Sequence, residues 1–492
     1  MIKLIKIELK KIFHKKSFFI IYGLMISFCL LNNILYWKDY DQEGNYKYLN
    51  EENLDEELKN LKVELNKYDD SKESDISMYL SLKTKINILE LKRNFSKDSW
   101  QYQKANEYLY DLVYQVNKCN YNSLEENLCE EYKENYNLYI KNLNQNNWQY
   151  FVQMKKSIVE EQISQLNHQK NLTIDKKTKQ DIEESISEQK EYLSLLEYRL
   201  EKQIKEDNSY FNQKLEKLFD ASKKIKKYKK LSKNKELTHK EKIEFYNSLS
   251  EASVNKYEIE NQKVTNKPNT LNYNLRTIVE DYEIFLVIII LMVASTMICE
   301  EFHTGTIKML LIKPYSRVKI LLSKYFASIA ILIFSVLILI LIQLLAGGIF
   351  LGFDSFFEPV IVYHYRTSMI SNYHVFIYML IRIFAKLPLF IMLLTICFAI
   401  GIILTNSIAA VTIPLTIYMF SSSIQQLAIQ YQLKWTRYLI GINWNFEDYL
   451  FGRISEFPYI NFKFSLFVYF VYLIGILGLT TFSFQKKNIK NI

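Results

Sequence analysis

The stretch EEFHTGTIKMLLIKPYSR, Glu300–Arg317, lies between two strongly apolar runs. IFLVIIILMVASTMIC precedes it and YFASIAILIFSVLILILIQLLAGGIF follows soon after. The stretch is polar at its start, amphipathic in the middle and stopped by Pro314. Thr304 or Thr306 can cap a helix over about 304–313 that ends at the proline. On that helix Ile307, Leu310 and Leu311 share one face, while Lys308 and the threonine hydroxyls occupy others. Glu300 and Glu301 precede its N-terminus, where the helix dipole favours negative charge. Such a helix either rests on lipid or acts as a lever that docks in another protein and moves both flanking segments.

Working outward, hydropathy predicts six spans at about 17–37, 283–299, 320–346, 387–404, 408–429 and 464–484. The second is short, with Glu283 and Cys299 at its edges. The three short basic segments, Lys3 to Lys16, Lys308 to Lys324 and Lys486 to Lys490, fall on one side of this arrangement. The positive-inside rule makes that side cytoplasmic. Both termini are then cytoplasmic, and residues 38–282 are extracellular. MIKLIKIELKKIFHKK followed by one spanning run, with no small-residue cleavage site, reads as an amphipathic segment and an uncleaved anchor. The expected fold is an all-α polytopic membrane protein. Its parts are residues 1–37, an extracellular helical, coiled-coil-like domain at 38–282, and a five-span body at 283–492.

The 492-residue chain has a net charge of +9, with 11 Gly and 6 Pro. The surplus of positive charge lies outside the insert, as suits loops at an anionic leaflet, and the extracellular placement of the densest basic run, Lys223–Lys230, argues against nucleic acid as a partner. No proline occurs before residue 268, so nothing breaks long helices in the insert. Ile182, Ile186, Gln189, Leu193, Leu196 and Leu200 alternate in steps of four and three, the spacing of a coiled-coil seam. Asp175 and Thr178 can start that helix, and HQKNLTID reads as the link to an antiparallel neighbour. Ile76, Tyr79, Leu82, Ile86 and Leu89 form a second, looser stripe. KKIKKYKK (Lys223–Lys230) reads as a solvated face, with attraction to anionic headgroups or wall polymers as the alternative. In segment 430–463, Trp435, Tyr438, Trp444, Phe446, Tyr449 and Phe451 suit short helices anchored in the headgroup region.

Five cysteines do not make a disulfide framework. Cys29, Cys299 and Cys397 belong to apolar runs. On one continuous helix Cys119 and Cys129 would be ~15 Å apart, so free thiols are the expectation. A turn with a capping box of Ser123 and Glu126 could instead bring the pair together.

Catalytic constellations are absent. The sequence has no phosphate-binding G-x-x-x-x-G-K-[ST] loop and no H-E-x-x-H, so neither an ATP-holding nor a zinc-protease site is written in this chain. No Asp, Glu or His lies within the six expected spans beyond their ends, which argues against proton coupling. Arg382 and Lys386 flank the fourth span, within reach of the interface.

Glu300/Glu301, Gly305-Thr306, the Ile307–Lys313 helix, Pro314 and Ser316-Arg317 together resemble the connector of ABC-2 type transporter permeases. An acidic residue, Gly-Thr, a short amphipathic helix ending near Pro and a polar-basic start to the next span recur in that family. The resemblance covers residues 1–37 and about 283–492, and the long insert is similar to that of a Gram-positive subset. A usual member carries Arg or Lys after the first Glu; EEFH has neither. The resemblance implies a non-enzymatic permease of the bacterial cell membrane that exports or extrudes an amphiphilic peptide, lipid or drug. It would pair as a homodimer or heterodimer and bind a separate ABC ATPase subunit, which holds ATP and Mg. Coupling would fall on Glu300, Glu301, Gly305, Thr306, Ile307, Leu310, Leu311, Pro314 and Arg317. A non-transporting scaffold or sensor, whose extracellular coiled-coil domain binds an envelope partner, is the alternative.

Overall fold

The computed structural model describes residues 1–39, 54–69, 72–96, 99–104, 109–120, 125–207, 209–263, 265, 267–307 and 315–487. The chain divides into two compact units. One comprises Met1–Lys47, Lys227–Ser250 and Val264–Ile492, the other Tyr48–Lys226 and Glu251–Lys263.

The second unit is helical. Its longest elements, Trp148–Leu172 and Lys176–Glu201, pack side by side as a hairpin with only three residues between them. The Asp175 carboxylate caps the second helix by accepting from the Thr178 amide at 2.8 Å. Of the predicted seam, Ile186 and Leu196 are buried, and Ile182, Gln189, Leu193 and Leu200 are half-buried. Leu196 joins a core with Trp100, Leu109, Tyr139, Leu143 and Phe151. In the looser stripe Leu82, Ile86 and Leu89 are buried. Cys119 and Cys129 are disulfide-bonded, their Cα atoms 5.6 Å apart. This overturns the free-thiol expectation. The helix that ends at Cys119 does not continue; a new one begins at Glu126, so the spacing of a single helix does not apply. The capping-box residue Ser123 lies outside the described residues.

Among the described residues, the first unit holds six helices long and apolar enough to cross a membrane: Phe18–Lys38, Leu271–His303, Arg317–Leu351, Val375–Leu404, Ser407–Gln430 and Phe462–Lys486. The chain is therefore a largely helical membrane protein. Leu271–His303 is central and contributes the largest share of a core that runs through the unit. A polar ladder stitches it to two neighbours. Asn274 donates to Asn33 at 3.3 Å, while Asn33 and Cys29 donate to Gln343 at 3.2 and 2.9 Å. Among apolar helices, where burial discriminates poorly between partners, such bonds fix which faces meet.

Two helices exceed the hydropathy limits. The second begins twelve residues before the expected 283, and the fourth begins at Val375 rather than 387. Charges made hydropathy stop early, but those charges pair with one another and the helices continue through them. The all-α expectation also misses an antiparallel hairpin, Pro359–His364 with Met369–His374, in register from Pro359↔His374 to His364↔Met369. Its first strand, PVIVYH, is rich in β-branched residues and mostly buried. In segment 430–463 the expected short helices form at Lys434–Tyr438, Ile440–Asn443 and Phe446–Gly452. Their aromatics do not all anchor outward: Trp435 is 62% exposed, whereas Trp444 is only 2% exposed and belongs to the core.

A thiol count checks the disulfide. The unfolded, unreduced protein is expected to titrate three thiols, Cys29, Cys299 and Cys397, and five after reduction.

Candidate functional site

The connector begins where Leu271–His303 ends, and its first residues close that helix. Thr304 is the C-cap, its amide bonded to the Glu300 carbonyl and its hydroxyl donating to the same oxygen at 2.8 Å. Thr304 therefore ends the preceding helix and does not start a new one. Gly305 follows with φ +69°, the left-handed conformation that finishes helices and that L side chains avoid. No atom lies within 4 Å of a Cβ built there, so conformation alone, and not space, calls for glycine. Thr306 is exposed and shares a 2.9 Å hydrogen bond with Thr304. Ile307 is 1% exposed and packs into the unit's own core. It anchors the connector to the bundle and is not open to another protein, contrary to the shared docking face expected with Leu310 and Leu311. Leu310, Leu311 and Pro314 lie outside the described residues. Beyond them, Ser316 caps Arg317–Leu351. Arg317 donates to the carbonyls of Gln485 and Lys487 at 2.8 and 3.1 Å, tying this helix to the end of Phe462–Lys486.

A closed ring of alternating charge sits at the base of the connector. Lys324 Nζ lies 2.7 Å from Glu301 Oε1 and 3.0 Å from Glu8 Oε2. Lys11 Nζ lies 2.8 Å from the same Glu301 oxygen and 3.2 Å from Glu8 Oε1. Lys324 and Glu8 are almost sealed, at 3% and 6% side-chain exposure. Lys11 is half-open. Burial pulls its ammonium down, but Glu301, then Glu8, more than offset this and hold it above its ordinary value. The two acidic residues of the motif thus differ: Glu301 is inside the ring, whereas Glu300 is exposed and pairs with Lys15. The second Glu301 oxygen accepts no hydrogen bond among the described residues. A cleft of about 480 Å³ opens beside the ring, lined by Glu8, Lys11, Lys15, Glu301, Thr304 and Thr306 among others.

Glu8, Lys11 and Lys324 were missed in the sequence, although Glu8 and Lys324 each left a trace. Helix Ile2–Phe13 buries Leu4, Glu8 and Ile12, so a carboxylate occupies its apolar stripe. Lys324 lies inside the span expected at 320–346, beyond Ile320, Leu321 and Leu322.

A second charged cluster gathers at the other end of the same central helix. Arg382 contacts Glu280 at 2.5 Å and also pairs with Glu447, while Lys386 reaches Glu283 at 2.9 Å and Glu447 at 3.3 Å. Arg382 and Lys386 are therefore buried partners of carboxylates and do not snorkel to an interface. Glu280, Glu283 and Glu301 lie in the same long helix but outside the expected uncharged span, and each is ion-paired. Between the clusters, Ile284–Cys299 is uncharged over roughly 25 Å of helix. Beside Glu447, burial pushes the Asp448 carboxyl up to about 6, opposed by Lys386 and reinforced by Glu447. Among the described residues no group of three or more His, Cys, Asp or Glu could hold a metal ion.

Residues 249–490 match a sequence family described as protein of unknown function (DUF2705). The chain is similar to uncharacterized protein YhcI of Bacillus subtilis (strain 168), 26% identical over 248 residues, covering 49% of this chain and 75% of that protein. It is also similar to uncharacterized membrane protein YdbK of the same organism, 24% identical over 207 residues, covering 42% and 79%. No solved structure matches.

Two consequences can be measured on the full chain. Lys324→Met removes the sealed cation and leaves both carboxylates to the half-open Lys11 alone, and is expected to cost about 3–5 kcal/mol, against at most about 1 kcal/mol for Lys15→Met at the exposed pair. Gly305→Ala should cost about 1–2 kcal/mol from backbone strain alone. Thermal unfolding in lipid nanodiscs gives the ranking.

Asp448 supplies the pH dependence. Its folded-state value lies above the ordinary 3.8, so folding holds the proton more tightly. The stability it contributes is present below about 4 and is lost as pH rises through about 6. Asp448→Asn should therefore raise the melting temperature at neutral pH and leave it unchanged in acid.

Proposed function

We propose that this chain is the membrane-spanning permease subunit of an ABC exporter of the ABC-2 type. The observation that carries the reading is the Glu301 carboxylate, held at once by Lys11 of the N-terminal helix and Lys324 of the helix after the connector. Three elements meet at the base of the short connector, so a push on it is shared by the helices before and after it and by the N-terminal helix. The chain has no nucleotide loop of its own; an ABC ATPase subunit that binds ATP and Mg supplies the push from the cytoplasm. Gly305 is the joint, Thr306 is exposed to the partner, Leu310 and Leu311 make the apolar contact, and Pro314 ends the lever. Arg317 carries the motion to the last helix. The six apolar helices cross the membrane with both termini cytoplasmic. Residues 38–282 stand outside, where the Cys119–Cys129 bond finds the oxidising surroundings that disulfides need. The cargo is an amphiphile, and two permeases form the pathway.

Co-purification tests this reading. The wild-type chain is expected to retain an ATPase subunit through detergent extraction, and Leu310→Asp/Leu311→Asp to lose it and the stimulated ATP hydrolysis. Association and hydrolysis unaffected by the double substitution would overturn the proposal.

A further inference from the structure

A stretch from inside the insert, Lys227–Ser250, belongs to the same compact unit as the apolar helices. It comprises the last turns of helix Tyr210–Asn234 and the first turns of helix His239–Glu260. Tyr228 holds the two together: its hydroxyl bonds Glu244 and its ring lies 6.4 Å from that of Phe245. The stretch carries seven lysines against three glutamates.

Contacts within the unit fix its level. His239 Nε2 is 2.8 Å from the Ser455 carbonyl oxygen, and Tyr365 donates to Asn247 at 3.4 Å. Ser455 is buried, and its side chain is reached by Tyr449, whose hydroxyl shares a 2.7 Å hydrogen bond with Ser465. Ser465 stands in the first turn of the apolar helix Phe462–Lys486. Through Ser455 and Tyr449, His239 is thus tied to the point where that helix begins. Exposed aromatics mark the same level: Trp435 and Tyr438 are open, and the Tyr438 ring lies 5.7 Å from that of Phe464. Exposed Trp and Tyr at a helix start sit among lipid headgroups. That layer is about 5–8 Å deep on each side of the hydrocarbon, within the reach of an extended lysine.

The lysines are only partly answered by the stretch's own acids. Lys235 pairs with Glu241 and Lys242 with Glu236. Lys229, Lys233 and Lys240 are exposed and form no ion pair among the described residues. Lys229 and Lys233 are one turn apart on one helix face, where like charges repel. Lys240 lies in the first turn of its helix, where the dipole disfavours a cation. A merely solvated face looks different: in the second unit exposed helices set Lys156 against Glu160 and Glu197, and Lys170 against Glu183. Neither placement helps the helices that carry these lysines, and an external anion relieves both.

We infer that Lys229, Lys233 and Lys240 form a binding surface for the phosphate headgroups of anionic lipids, which holds this part of the insert against the membrane. Attraction of ammonium groups to a charged membrane surface depends on charge more than on shape. The surface therefore selects anionic over zwitterionic phospholipid. The inference needs the apolar helices to cross the membrane; it needs neither the exporter reading nor an assignment of the compartment that this end faces.

A fluorescent label on Ser232→Cys, an exposed position between Lys229 and Lys233, tests it on the full chain in lipid nanodiscs. The chain without that substitution, whose free cysteines are buried, sets the labelling background. Nitroxide-labelled phosphatidylglycerol should quench the label about fivefold more strongly than nitroxide-labelled phosphatidylcholine. Lys229→Gln/Lys233→Gln/Lys240→Gln should abolish the preference with thermal unfolding unchanged, the corresponding arginine variant should keep it, and high salt should weaken it. Equal quenching by the two lipids, or a preference that survives in the glutamine variant, would overturn the inference. Release of the quenching by soluble poly(glycerol phosphate) would also overturn it and assign the surface to a wall polymer. No ATPase takes part in the measurement, so failure here leaves the exporter reading standing, and failure of that reading leaves this surface.

Discussion

Charge buried among apolar helices must be paired, and the first unit is organised around that requirement. An ammonium or carboxylate taken out of water costs several kcal/mol unless opposite charge meets it at hydrogen-bond distance. Glu8, Lys11, Glu301 and Lys324 meet this demand as a ring, in which each residue touches two of opposite sign. The ring draws together three separate parts of the sequence. Arg382, Lys386, Glu280, Glu283 and Glu447 repeat the arrangement at the other end of the central helix. Removing one member of either set leaves its buried partners with fewer opposite charges, so both clusters define the packing as much as the apolar contacts between them.

The same requirement explains how far the sequence could be read. The six apolar helices were legible because hydropathy is a local property, and so was the helical insert, from its four-three stripes and the Asp175 cap. Helix limits were not legible where charge intervened. Glu280, Glu283, Arg382 and Lys386 look like the polar ends of spans until their partners are known, and those partners lie about a hundred residues away. The hairpin at Pro359–His374 was hidden in a segment whose apolar residues are too few for a span and too patterned for a loop.

At the connector the motif residues were visible, but their duties were not. Thr304 reads from the sequence as the beginning of a helix, and its bonds to the Glu300 carbonyl with the left-handed Gly305 after it make it the end of one. Glu300 and Glu301 are equivalent by spacing; one faces solvent and the other is enclosed, because successive helical positions are about 100° apart. Glu8 was the best available clue to the ring. A carboxylate between Leu4 and Ile12 on the buried face of an amphipathic helix calls for a cation, and the sequence could not say which.

The central helix, Leu271–His303, contains neither glycine nor proline. Stiff and unbroken, it carries Glu280 and Glu283 near its start and Glu301 near its end. A rigid rotation about its axis swings all three carboxylates by the same angle, so such a motion strains both charge clusters together. Ends separated by the thickness of a hydrocarbon layer are geared to each other, and the flexible left-handed residue that would uncouple them, Gly305, stands just beyond the last tooth.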